Sequence, residues 1–204
     1  AVPDNEEAIQ ERAGFKEPEK VGINYQEAMQ FPSLNVRGIR SAWVGNEART
    51  IVPDKVIVEI DIRTVPNTDG NRLVGLVKEH IKKQGYTILD AVPTQEEMLS
   101  IEKPIFIKHT VSMYPFRTPL DSKLGAWLKD ALEQAHGKEV VQIRILGGSL
   151  PLSFFLNELD IPAVLAPLVN ADNNQHSPNE NLRLGNFFDG IYSFRSILIN
   201  PIPE

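Results

Sequence analysis

The segment NNQHSPNENL, residues 173–182, sets one imidazole, His176, in a polar, proline-containing loop just ahead of a long apolar-periodic stretch. Histidine is the commonest metal ligand, and loops carried on a rigid scaffold are where binding groups concentrate. One imidazole does not make a catalytic zinc site, which takes about three protein ligands plus a water. The chain holds no cysteine and no HExxH, and His80, His109 and His136 are scattered along it. His176 therefore reads as part of a metal site whose other ligands lie elsewhere. A second candidate is GGSLP, residues 147–151, which follows the apolar run VVQIRIL at the expected start of a helix. In open α/β sheets ligands bind beyond the carboxyl ends of strands, and glycines let backbone amides approach them. The plain alternative is a tight turn with Ser149 as helix N-cap.

Two architectures are expected to carry these residues. SLNVRGIRSAWV and KVIVEIDIRTV alternate polar and apolar residues with period two, and residues 46–49 supply a connecting turn. They read as long antiparallel neighbours, each with one solvated face. Asp69 or Asn71 caps a helix reaching Gln84, with Leu73, Leu76, Val77 and Ile81 inward, and Gly85 ends it. YTILDAV and PIFIKHTVSMY are further strands. The sum is an α+β sandwich, an antiparallel sheet with helices on one face, over residues 1–115, opened by a short helix near residues 5–12. From residue 116 the pattern changes to helix (121–135, closed by Gly137), apolar strand (140–146), helix (150–159), apolar strand (163–169) and helix (181–199). That alternation signals an α/β layer with a mainly parallel sheet.

Composition narrows the function classes. A net charge of -6 argues against nucleic acid, whose phosphates require a surplus of Lys and Arg on one face. The longest apolar runs are about half of the roughly 20 residues a membrane span needs. Zero cysteines exclude a disulfide framework and suit cytosol and periplasm equally. The opening AVPDNEEAIQERAGF has neither a basic n-region nor an apolar h-region and does not read as a signal peptide.

Taken in order, PSLNVRGI, RTIVPDKV, DIRTVPN, RTPLDSKLGAWL, GGSLPLSFF and NNQHSPNENL resemble the C-terminal half of the dinuclear-zinc aminoacylase and dipeptidase superfamily, in particular its carnosinase-like and carboxypeptidase-G-like branches. The resemblance implies most of a lid and dimerisation domain followed by the last portion of a zinc-peptidase catalytic domain. It makes His176 the late ligand of the second zinc, with Asn179 and Glu180 organising its loop; Glu180 would also complement the dipole of the last helix. It places Gly148 and Ser149 against substrate, together with Thr50 of RTIVP. Arg63 of DIRTVP would pair with the terminal carboxylate of the substrate, a task suited to the planar fork of guanidinium. Arg144 is either a buried, paired arginine or a second anion anchor. Where carnosinase-like relatives often carry an acidic residue before the paired glycines, this chain has Leu146.

The implied activity is hydrolysis of the amide bond of a dipeptide or other small substrate with a C-terminal carboxylate. Two zinc ions, or manganese or cobalt in their place, would activate a water. The resemblance assigns no catalytic acid or base to this chain, so the isolated polypeptide is expected to be inactive. Homodimerisation through the lid is implied as well. The competing expectations are a dimerising module without chemistry and an acylase or carbamoyl amidohydrolase built on the same scaffold.

Overall fold

The computed structural model describes residues 6–202, without the side chains of Phe154 and Asn157. Two compact units are present, one holding the residues up to Gln26 together with those from Phe116 onward, the other spanning Glu27–Pro115. The opening segment thus clusters with the C-terminal portion, whereas the sequence pattern grouped it with residues 27–115.

In the unit Glu27–Pro115, β1 (Ser33–Arg40) and β2 (Ile57–Arg63) form an antiparallel pair in which Ser33 faces Arg63 and Arg40 faces Ile57. A register shift between Val36 and Gly38 leaves Arg37 as the extra residue, and its guanidinium reaches Glu59 on the partner strand at 3.1 Å. The apolar face of the pair is solvated: Val36 and Ile39, which the bulge brings onto one face, are 53% and 70% exposed. The expected dry face is absent because, among the described residues, no layer covers this ribbon. Helix α3 (Gly70–Lys83) begins where the sequence signals placed it, with Asp69 accepting the Asn71 N–H at 2.9 Å. Gly85, at φ +86°, turns the chain out of it.

The remaining strands depart from expectation. β3 (Thr87–Leu89) and β4 (Pro104–Phe106) pair with each other in parallel and form a separate two-stranded sheet. The antiparallel four-stranded sandwich is corrected accordingly. The cause is α4 (Gln95–Ser100), which lies in the connection and returns the chain in the same direction, as a crossover does. Thr94 and Glu97 form a reciprocal capping box at its start, a Thr-x-x-Glu signal present in the sequence.

In the other unit α1 (Glu6–Ala13) is tied by its Glu6 carboxylate, which accepts the N–H of Tyr25, the first residue of α2 (Tyr25–Ala28), a turn that runs across the division at Gln26. Residue 5, where the first helix was expected to begin, lies outside the described residues. The organising contact is between α5 (Lys123–His136) and α7 (Leu184–Ile199). Ser193 and Ser196 are buried positions of α7 and Gly125, Leu128 and Ala131 are those of α5, while Gly190, also buried in α7, lies against Leu168. Ser196 Oγ donates to the Ala131 carbonyl at 2.6 Å, and Trp127 Nε1 donates to the Asn200 carbonyl at 3.4 Å. His136 is exposed, as expected, and meets Ser193 Oγ at 2.7 Å through Nε2. Ser122 caps α5, and Gly137 closes it in the left-handed conformation.

Residues 140–146 and 163–169, expected as buried parallel strands, are irregular here. A strand exists only with a ladder partner, and among the described residues neither segment acquires one. Val141, Ile143 and Leu165 are exposed as a result.

Candidate functional site

His176 stands at the tip of a loop running from Asn170 to Arg183, between residues 163–169 and α7. It is exposed, and its backbone is left-handed at φ +63°, as are those of Asn174 and Asn179. The loop is closed at its neck by Asn170, whose Oδ1 accepts the Arg183 N–H at 3.1 Å and whose Nδ2 donates to Asp172 at 2.8 Å. Asn173 adds its carbonyl, which accepts the Asn181 N–H at 2.8 Å. The Arg183 guanidinium pairs with the Asp172 carboxylate across the opening. Hydrogen bonding from Asn170, then from its own backbone N–H, and the charge of Arg183 hold the Asp172 carboxyl below its ordinary range. Arg12 of α1 reaches the Ala171 carbonyl at 3.4 Å, which fastens the loop to the opening segment. Helix α7 begins at Leu184, so Glu180 precedes its first turn and the helix-dipole role expected for that carboxylate does not apply.

Gly148 and Ser149 lie in the same unit as His176, both exposed, in a turn closed by the Gly148 N–H to the Leu146 carbonyl at 2.9 Å. Helix α6 (Ser153–Leu159) starts only after Leu152, which removes Ser149 from the N-cap position. Arg144 is exposed, against the reading of it as a buried pair. In the other unit Arg63 is exposed at the end of β2, its Nε donating to Asp61 at 2.5 Å. Thr50 is exposed in the connection between β1 and β2, beside Arg49, whose guanidinium stacks over Trp43 with 4.9 Å to the ring centroid. The structure thus gathers Gly148, Ser149 and His176 into one unit and Thr50 and Arg63 into the other.

Donor chemistry decides what this chain can hold by itself. Among the described residues no group of three or more histidine, aspartate or glutamate side chains is gathered to bind a metal ion. A resident zinc does not fit these residues alone, because His176 supplies one ligand where about four positions must be filled. Sequence reasoning passed over Asn170, Asp172 and Arg183, which frame the His176 loop. No sequence signal marked them, since a buried amide and a solvated one are the same residue type.

The model of peptidase family M20/M25/M40 matches residues 7–200. The chain belongs to that family. Among curated relatives, the Cys-Gly metallodipeptidase dug1 of Schizosaccharomyces pombe is 31% identical over 174 residues, covering 83% of this chain and 33% of that protein. The human Beta-Ala-His dipeptidase is 24% identical over 171 residues, 83% of this chain and 31% of that protein. Among solved structures, the M20 family metallo-carboxypeptidase Sso-CP2 from Sulfolobus solfataricus superposes with a TM-score of 0.72 at 23% identity, over 97% of this chain and 42% of that one. Human carnosine dipeptidase 1 gives 0.71 at 22% identity, over 98% and 40%. The fold class that follows is a mixed α/β one with small sheets and helices. The chain spans about a third of the length of the curated relatives it matches.

Among the described residues no helix is long and apolar enough to cross a membrane.

Proposed function

We propose that these 204 residues are the C-terminal portion of a metal-dependent dipeptidase. The unit Glu27–Pro115 would serve as lid and dimerisation domain, and the segment from residue 116 as the end of the catalytic domain. His176 contributes one imidazole to a two-zinc site, open also to manganese or cobalt, and the other ligands come from sequence outside these residues. Gly148 and Ser149 face the substrate from the catalytic side; Thr50 and Arg63 face it from the lid, with Arg63 receiving the terminal carboxylate of a small peptide. The observation that carries this reading is an exposed imidazole on a hydrogen-bonded loop, within a chain whose residues 7–200 match a peptidase family.

Packing supports the incompleteness. Leu128 and Ala131 are the buried hydrophobic residues among those described, while Phe187, Phe188, Ile191, Tyr192 and Leu198 of α7 are all at least half exposed. These side chains form one broad apolar arc of α7, away from its buried Gly190, Ser193 and Ser196, and an apolar helix face of that width is one that packs against a further layer. The α7 surface and residues 140–146 and 163–169 are what such a layer would cover.

The test is hydrolysis of Cys-Gly and β-Ala-His with zinc or manganese added. The purified 204-residue chain is expected to give no turnover above the metal blank, whereas a longer polypeptide carrying the remaining ligands turns both or one of them over. Turnover by the chain alone would overturn the reading. A dimerising role is favoured by one further observation: among the described residues the outer edges of β1 and β2 are unpaired, and edges of that kind recruit strands. Sedimentation that finds only monomer at high concentration contradicts it.

A further inference from the structure

We propose that Asn170 and Asn173 are positioning residues that build the His176 loop in advance of any metal; the assignment rests on the reading of His176 as a ligand. Within residues 170–183 every side chain except these two is exposed, whereas Asn170 and Asn173 keep 7% and 6% of their surface. Buried amides are costly unless their hydrogen bonds are made, so their partners define their task. The Arg183 backbone N–H can only donate and the Asp172 carboxylate, when ionised, can only accept. Asn170 therefore uses both halves of its amide at once. Asn173 works through oxygen: its Oδ1 accepts the N–H of Gln175, the residue before His176, at 3.2 Å. Its own N–H donates to the Asn170 carbonyl at 3.2 Å, which links the two.

Between these anchors the chain passes through the left-handed region at Asn174, His176 and Asn179. Asparagine enters that conformation readily, whereas at His176 it is held by the surroundings. The Asp172 and Arg183 side chains are 58% and 62% exposed, and ion pairs so exposed hold little. The two buried amides are the stronger restraint.

The chemistry predicts an asymmetry that simple packing does not. Asn173→Asp keeps the acceptor used by Gln175 and costs less; Asn170→Asp removes the donor to Asp172, leaves two carboxylates at hydrogen-bond distance and costs more. The experiment is amide hydrogen exchange on the isotope-labelled 204-residue chain, read at Gln175, Asn181 and Arg183, with the α5 amides as the measure of overall folding. Asn173→Leu and Asn170→Asp are expected to lower protection at these amides by about tenfold, the loss of one buried hydrogen bond. Asn173→Asp is expected to stay within about twofold of the parent. Equal tolerance of Asn170→Asp and Asn173→Asp overturns the proposal, as does full protection in Asn173→Leu. Where Asn170→Asp also loses the α5 amides, the Asn173→Leu and Asn173→Asp pair decides alone. In the longer polypeptide Asn173→Leu weakens zinc retention and Asn173→Asp restores it. Undiminished zinc in His176→Gln would remove the ligand reading and leave the loop assignment standing.

Discussion

Replacing Gly125 with alanine would set a Cβ 2.8 Å from the Leu120 carbonyl oxygen and 3.1 Å from Ser122 Oγ. Neither neighbour is the loose end of a side chain. The Leu120 oxygen belongs to the backbone, and Ser122 Oγ is held as the helix cap, accepting the Gly125 N–H at 3.0 Å. Overpacking of this kind costs about 1–3 kcal/mol, and displacing the cap adds about 1 kcal/mol. The gain from replacing glycine inside a helix, about 1 kcal/mol, offsets part of that. The net expectation is a loss of about 1–3 kcal/mol. Gly75 in α3 is the steric control, since a Cβ there meets nothing within 4 Å, and Gly75→Ala should stabilise α3 by about 0.5–1 kcal/mol, read by exchange of the α3 amides. The chain has two tryptophans, so a Trp43→Phe background leaves Trp127 on α5 as the reporter of its own unit. In urea, with m of roughly 1–3 kcal/mol/M, the Trp127 midpoint for Gly125→Ala should fall by about 0.3–3 M at constant m. A midpoint unchanged or raised would refute the steric account of the α5 entry.

Acid should act on identifiable groups. Glu97 is lowered from 4.5 by hydrogen bonds from Thr94, Glu133 from 4.5 by Lys129 and the Val140 N–H, and Asp172 from 3.8 chiefly by Asn170. A depressed carboxyl stabilises the fold fully above its unfolded value, and that contribution disappears as pH falls through the lower folded value. A titration monitored at these carboxyl carbons should therefore show local loosening of α4, α5 and the His176 loop below the ordinary carboxylate range, and ordinary titration midpoints would contradict it. Lys129 is raised by Glu133, so its contribution is complete below 10.5 and is lost only as pH rises through the higher folded value. Thr94→Ala should cost about 1 kcal/mol of α4 stability and return Glu97 toward its usual range, read as faster exchange of the Met98 and Ile101 amides. Ser196→Val, which removes the donor to Ala131, should destabilise the α5 and α7 contact by about 1–3 kcal/mol in a denaturant melt.

Elements governed by local rules were legible in the sequence, and those that depend on distant partners were not. Asp69, Gly85 and Gly137 marked the ends of α3 and α5 because capping chemistry is settled within a few residues. The alternation of β1 and β2 revealed their pairing, since the two strands are near neighbours in the chain. VVQIRIL and AVLAPLV have the composition of buried strands, yet composition does not supply a ladder partner. The parallel pairing of β3 with β4 was hidden because the crossover helix α4, six residues long, is too short for periodicity to show and was announced only by its capping box. At the candidate site His176 was conspicuous by residue type. Asn170 and Asn173 were not, because a buried amide and a solvated one look alike until their partners are known.

Metal retention at His176 tests the account most directly. The longer polypeptide that supplies the remaining ligands should be purified with His176 intact and as His176→Gln, dialysed against zinc-free buffer, and assayed for bound metal. The account predicts that the variant loses part of its zinc while the α5 and α7 amides keep their protection. An unchanged zinc content in a folded variant would contradict it.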